Sequence, residues 1–297
     1  MGHRLAPIGM GLFAIFLVTF VLGLGTGYRT HVLTTPSMGK ALPVGTMIVT
    51  KPTPVSDVAV GDIVTYRVGG DMTRTHRVVA TSPSSLTTRG DLNGSNDPAP
   101  VKQSDLVGKV IFSWRYGGWI LRTLPYAAGG WLLMHVASRR LPAPAERSRY
   151  RSLGVFCGIS IALALYKPLF GVEMLTMKMD GEGAHATATV HAVSTGMLPI
   201  QLDGVGDNST PSEVLTTAGA DGFAVARTPN DAGRFEFRPK PVFSPSMIAL
   251  LVAAAGAPYV WFYGLHLWHR RHVSQASQRQ KSAVGAFAHP GSGAHRA

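Results

Sequence analysis

The sequence predicts a membrane protein whose soluble part is mainly β. Three observations lead there. Apolar residues make up 45% of the 297 residues but are gathered in blocks, and charged residues are only 15%, below the ~25% of an average globular domain. Strand-sized runs rich in Val, Ile and Thr lie between the blocks, punctuated by Gly, Pro, Asp and Ser. Lys and Arg crowd beside the apolar blocks, as in cytoplasmic loops.

Residues 1–27 read as an N-terminal transmembrane anchor, since 8–25 form a run of about 18 apolar or small residues after a short basic start. The run is longer than a signal-peptide core, and no clear small-residue cleavage site follows it. Residues 28–115 read as a compact β domain. Its strand candidates are 47–51, 62–67, 75–80, 85–89 and 106–112, with turn chemistry at Gly61-Asp62, Gly69-Gly70-Asp71 and Asn93-Gly94. Their spacing suggests an all-β barrel or sandwich.

Residues 116–137 are expected to be a second transmembrane helix, with Arg122 near one end and an interfacial helix as the alternative. Residues 138–151 form a basic loop, 152–172 a third span, and 173–243 a second extracytoplasmic β domain, read as a small immunoglobulin-like sandwich. Residues 244–268 complete four spans, and 269–297 form a basic, disordered tail. This topology puts the basic segments on one side of the bilayer and both β domains on the other. The net charge of +12 then reflects topology, and no nucleic-acid partner is expected.

The single cysteine, Cys157, excludes an intrachain disulfide. His185 and His191 lack a third ligand for a metal, no Gly-rich phosphate loop is present, and no cofactor is expected. The sequons at Asn93 and Asn208 carry no weight.

Chemistry concentrates in 34–101. Ser37 stands in Thr34-Thr35-Pro36-Ser37-Met38, His76 is the only histidine in residues 32–134, and Asp91 and Asp97 lie in a Gly- and Asp-rich loop. A serine hydroxyl must lose its proton to attack a carbonyl, a neutral histidine can take it, and a carboxylate can orient the imidazole.

These residues resemble signal peptidase I, in the branch that pairs serine with histidine. Pro36-Ser37-Met38 resembles the nucleophile box and Val60-Gly-Asp-Ile-Val-Thr-Tyr-Arg67 the strand box ahead of the base. Thr75-His-Arg-Val-Val79 resembles the box in which histidine replaces lysine, and 88–101 the loop that supplies two acidic residues. The boxes run in order and the resemblance covers residues 30–113. Gly39-Lys40-Ala41, Gly45-Thr46 and Pro36 depart from the family pattern, and residues 152–297 have no counterpart in it.

The resemblance implies Ser37 as nucleophile and His76 as general base; Asp97 best matches the acid that orients the histidine and Asp91 the other acidic position, which could instead pin the loop, and the sequence leaves the two roles open. It implies an oxyanion hole from the Ser37 N–H and the Thr35 hydroxyl, and a substrate contact at Met38. The implied substrates are secretory preproteins, cut at the extracytoplasmic face of the cell membrane with the lipid bilayer as a further partner. Two other readings of the residues remain: a dedicated peptidase for a few surface or pilus-like proteins, and a non-catalytic membrane receptor with two β binding modules.

Overall fold

The structure, a computed structural model, describes residues 26–181, 186–205, 209–227, 229, 233–257, 259–261 and 263–264. The chain divides into two compact units. The first comprises residues 1–123 and 162–242, the second 124–161 and 243–297.

The first unit is built on a seven-stranded sheet: β1 (Arg29–Val32), β2 (Met47–Lys51), β3 (Ile63–Gly69), β4 (Met72–Ser82), β5 (Ser85–Arg89), β6 (Val101–Lys102) and β7 (Leu106–Trp114), in the order β1-β2-β7-β3-β4-β5-β6. Every pairing is antiparallel. β2 to β5 and β7 overlap the runs expected from sequence, whereas β1 and β6 are too short to carry a pattern.

Alternation along these strands separates two clusters. Val64, Tyr66, Val78, Leu86, Val101 and Leu106 bury together with Val55 and Val58. Met38, Leu42 and Ile48 form a second cluster with Leu33, Ile63 and Val110 packed against it. Ile63 and Val64 thus serve different clusters from adjacent positions of β3, as the two-residue period of a strand requires.

The same unit holds a second β module: β8 (Val172–Asp180), β9 (Thr187–Ser194), β10 (Ile200–Gly204), β11 (Asp221–Ala226) and β12 (Phe237–Pro241). Its sheets, β11-β9-β8 and β10-β12, share a core of Val190, Ala192, Leu202 and Ala224, with Val172 and Phe237 against it. These are five strands among the described residues, short of the seven of an immunoglobulin-type sandwich.

The expectation of a four-span, multi-pass membrane protein is corrected. No helix among the described residues is long and apolar enough to cross a membrane. Helix α1 (Gly117–Ala137) covers the expected span 116–137, but Arg122, Pro125, His135 and paired glycines at 117–118 and 129–130 dilute its apolar content. Helix α2 (Pro144–Tyr166) begins inside the expected basic loop and carries Glu146, Arg147, Arg149 and Arg151 in its first half. Beyond Arg151 only 152–166 is uncharged, about 22 Å of helix against a hydrocarbon core of ~30 Å.

In the span expected at 244–268, helix is described over 245–257, 259–261 and 263–264, and residues 258, 262 and 265–268 lie outside the described residues. The anchor at 8–25 and the tail from 269 also lie outside them, as do His185 and Asn208. Within the second unit, α1 and α2 approach closely: a Cβ on Gly130 would strike the Gly154 carbonyl, and one on Gly158 the Tyr126 carbonyl.

Candidate active site

Three neighbouring strands each send one side chain to a common point. In β4 the side chains of Arg74, His76 and Val78 project from one face and those of Thr75 and Arg77 from the other. His76 lies opposite Val64 in the β3–β4 register and is 2% exposed. Tyr66 on β3 shares that face, as does Thr88 on β5, two residues beyond the core residue Leu86. Asp97, in the β5–β6 connection, comes to the same point because its N–H donates to the Thr88 carbonyl at 2.8 Å.

Ser37 is held by the turn after β1. The Gly39 N–H donates to the Pro36 carbonyl at 2.8 Å, and the Leu92 N–H donates to the Ser37 carbonyl at 2.9 Å. Gly39 has φ +50°, and a Cβ there would press on the Leu92 side chain, so glycine suits the position in both conformation and space. Met38 is 1% exposed and sits in the second core cluster. Met38, expected to contact substrate, instead anchors the Ser37 turn in the core.

The three groups form a relay. His76 Nε2 lies 3.0 Å from Ser37 Oγ, and His76 Nδ1 lies 2.7 Å from Asp97 Oδ2. A carboxylate only accepts, so the proton between His76 and Asp97 belongs to Nδ1. That leaves Nε2 as an acceptor for the serine hydroxyl. Asp97 Oδ2 also accepts from the Tyr66 hydroxyl at 2.8 Å and the Thr88 hydroxyl at 2.6 Å. Arg74 approaches the other oxygen at 3.7 Å.

The electrostatics follow from these contacts. Burial pushes the Asp97 carboxyl upward, but hydrogen bonds from Thr88, His76 and Tyr66 and the His76 charge outweigh it, so it lies below its ordinary value. Burial and the Asp97 charge push the Tyr66 phenol up to about 12. Tyr66 therefore stays protonated and keeps donating to Asp97.

Asp91 belongs elsewhere. Its carboxylate accepts from Arg77 Nε at 2.8 Å and Nη2 at 2.7 Å, and Arg77 Nη1 also donates to the Gly61 carbonyl at 3.0 Å. Arg77 points away from the His76 face, and the hydrogen bond holds its guanidinium above its ordinary value. The alternative left open by sequence thus separates geometrically: Asp97 meets the histidine and Asp91 ties β4 to the 90–92 loop.

Thr35 and Ser37 line one side of a cleft of about 500 Å³, with Arg74, His76 and the 92–98 loop around it. Among the described residues no hydrogen bond occupies the Ser37 N–H, which leaves it open to an incoming oxygen. Sequence reasoning missed Tyr66, Thr88 and Arg74. The available signal was strand parity, since Tyr66 lies two residues from Val64, Arg74 two residues from His76 and Thr88 two residues from Leu86, each on the same face of its strand.

Outside this cleft, His191 Nε2 donates to Asp221 at 2.9 Å, and its ring stacks on Phe223. Among the described residues no cluster of three or more His, Cys, Asp or Glu side chains could hold a metal. In comparisons with known proteins, no family model matches the chain and no curated protein matches it.

Proposed function

We propose that the protein is a serine endopeptidase of the signal-peptidase kind, with Ser37 as nucleophile, His76 as general base and Asp97 as the group that orients the base. The continuous relay from Ser37 Oγ through His76 to Asp97, with links of 3.0 and 2.7 Å, carries this reading. In it, Ser37 gives its proton to His76 Nε2 as Oγ attacks the scissile carbonyl, and Asp97 stabilises the resulting imidazolium. His76 then returns the proton to the leaving amine, and an acyl-enzyme on Ser37 is released by water. The Ser37 N–H and the Thr35 hydroxyl are the donors for the oxyanion.

The substrate class comes from the resemblance of residues 30–113: secretory preproteins cut after small residues. The open cleft beside Ser37 supports an extended peptide there. A processing assay with a purified preprotein tests this. The unaltered chain is expected to release the signal peptide, while Ser37→Ala and His76→Ala release none. Processing retained in Ser37→Ala overturns the reading.

A further inference from the structure

The cleft beside Ser37 has a wall that does not come from the seven-stranded sheet. Leu175 and Thr176 of β8 line it together with Ser37 and His76. β8 is the edge strand of its sheet, and its register against β9 slips at this point: Met174 lies opposite Ala192, but Thr176 lies opposite His191. Leu175 is the extra residue. In a regular strand Leu175 and Thr176 would point to opposite faces. A bulge re-aims one of them, and here both reach the cleft.

The module that carries β8 is fastened beside the nucleophile turn. Arg115 Nη2 donates to the Ala218 carbonyl at 2.8 Å. Gly219, at φ +80°, packs so closely that a Cβ would strike the Gly39 carbonyl. Gly39 follows Ser37 by two residues and belongs to the Gly39-Lys40-Ala41 departure from the family pattern. That departure has a physical reason: the second β module rests on it.

The geometry points to β8 as a specificity wall of the Ser37 cleft, with Leu175 limiting the size of the substrate side chain accepted beside the scissile bond and Thr176 offering a hydroxyl to the peptide. This rests on the peptidase reading above. Leu175 is half-buried and Thr176 exposed, so the leucine supplies an apolar surface and the threonine keeps a free rim. An apolar wall of one leucine discriminates side chains by about tenfold to a few hundredfold, the range a pocket achieves by size alone.

The test uses the full chain in two forms. In a Ser37→Ala background, fluorescent peptides with Ala, Leu or Phe immediately before the scissile bond are titrated with and without Leu175→Ala. Leu175→Ala is expected to raise the affinity for the Phe peptide relative to the Ala peptide by about tenfold. Leu175→Trp is expected to move the ratio the other way, which keeps the test sound if the alanine variant folds poorly. With Ser37 intact, the kcat/KM ratios should shift in the same directions. If the affinity ratio moves while no peptide is cut, the wall stands and the peptidase reading falls. If peptides are cut but neither substitution moves the ratio, the wall falls alone. Equal loss for all three peptides, or no peptide binding at all, also overturns it.

Discussion

Tyr66 Oη lies 2.8 Å from Asp97 Oδ2, the oxygen that also accepts the His76 Nδ1–H at 2.7 Å. Tyr66 therefore acts on Ser37 only through Asp97 and His76, as a positioning residue. A hydrogen bond to a charged group contributes about 1.5–3 kcal/mol. Tyr66→Phe is expected to lower kcat/KM by about tenfold or more and to displace the acid limb of the pH–rate profile. Thr88→Val, which removes the 2.6 Å donor, is expected to act in the same direction. A loss of stability with an unmoved pH profile would mean that these hydroxyls only pack.

Tyr66 should also be visible by itself. Its phenol is raised to about 12 by burial and by Asp97, so its contribution to stability is present below the ordinary tyrosine value of ~10 and fades as pH rises through the folded value. Ultraviolet titration should show a late-ionising tyrosine that is absent in Tyr66→Phe. A titration unchanged by the substitution would contradict the bond to Asp97.

The carboxyl of Asp97 predicts the opposite pH dependence. Its folded value is depressed, so its contribution to stability is present above the ordinary carboxylate range and is lost as pH falls through the folded value. Urea unfolding should show the unaltered chain losing its advantage over Asp97→Asn as pH drops below about 4. A difference independent of pH would show that the ionised carboxylate contributes nothing.

Asp91 should matter to stability and not to the relay. Its two-point pairing with Arg77 is partly exposed, and such pairs contribute about 0.5–1 kcal/mol. Asp91→Asn is expected to cost that much in chemical unfolding while kcat keeps most of its value. Asp97→Asn is expected to lower kcat by about 10²- to 10⁴-fold, since it disturbs the imidazole tautomer. Equal loss from both would return Asp91 to the relay.

Ser37, His76 and the two candidate acids could be singled out in the sequence because each stood in a short box with recognisable neighbours. The loop box favoured Asp97 as the acid that meets His76 without separating it from Asp91, and strand parity adds the missing distinction. Arg77 follows His76 directly, must face the other way, and takes Asp91 with it. Tyr66 and Thr88 were hidden because a tyrosine or threonine in a β-branched run looks like ordinary strand packing. The wall at Leu175 was invisible, because a bulge depends on pairing with β9 and leaves no periodic trace in β8.

Hydropathy misled the reading for a local reason. The blocks at 116–137 and 152–172 are apolar on average, yet Arg122 and Pro125 interrupt the first. The second contributes only 152–166 to a helix that starts among arginines. Tallying apolar residues did not register where the helices begin, and the starts decide how much uncharged helix remains.

The most direct measurement is covalent trapping of Ser37. The chain is incubated with a fluorophosphonate, digested, and its peptides are read by mass spectrometry. The relay at 3.0 and 2.7 Å predicts an adduct on Ser37 that is lost in His76→Ala and strongly slowed in Asp97→Asn. No adduct on Ser37, or an adduct that forms as fast without His76, would contradict Ser37 as an activated nucleophile.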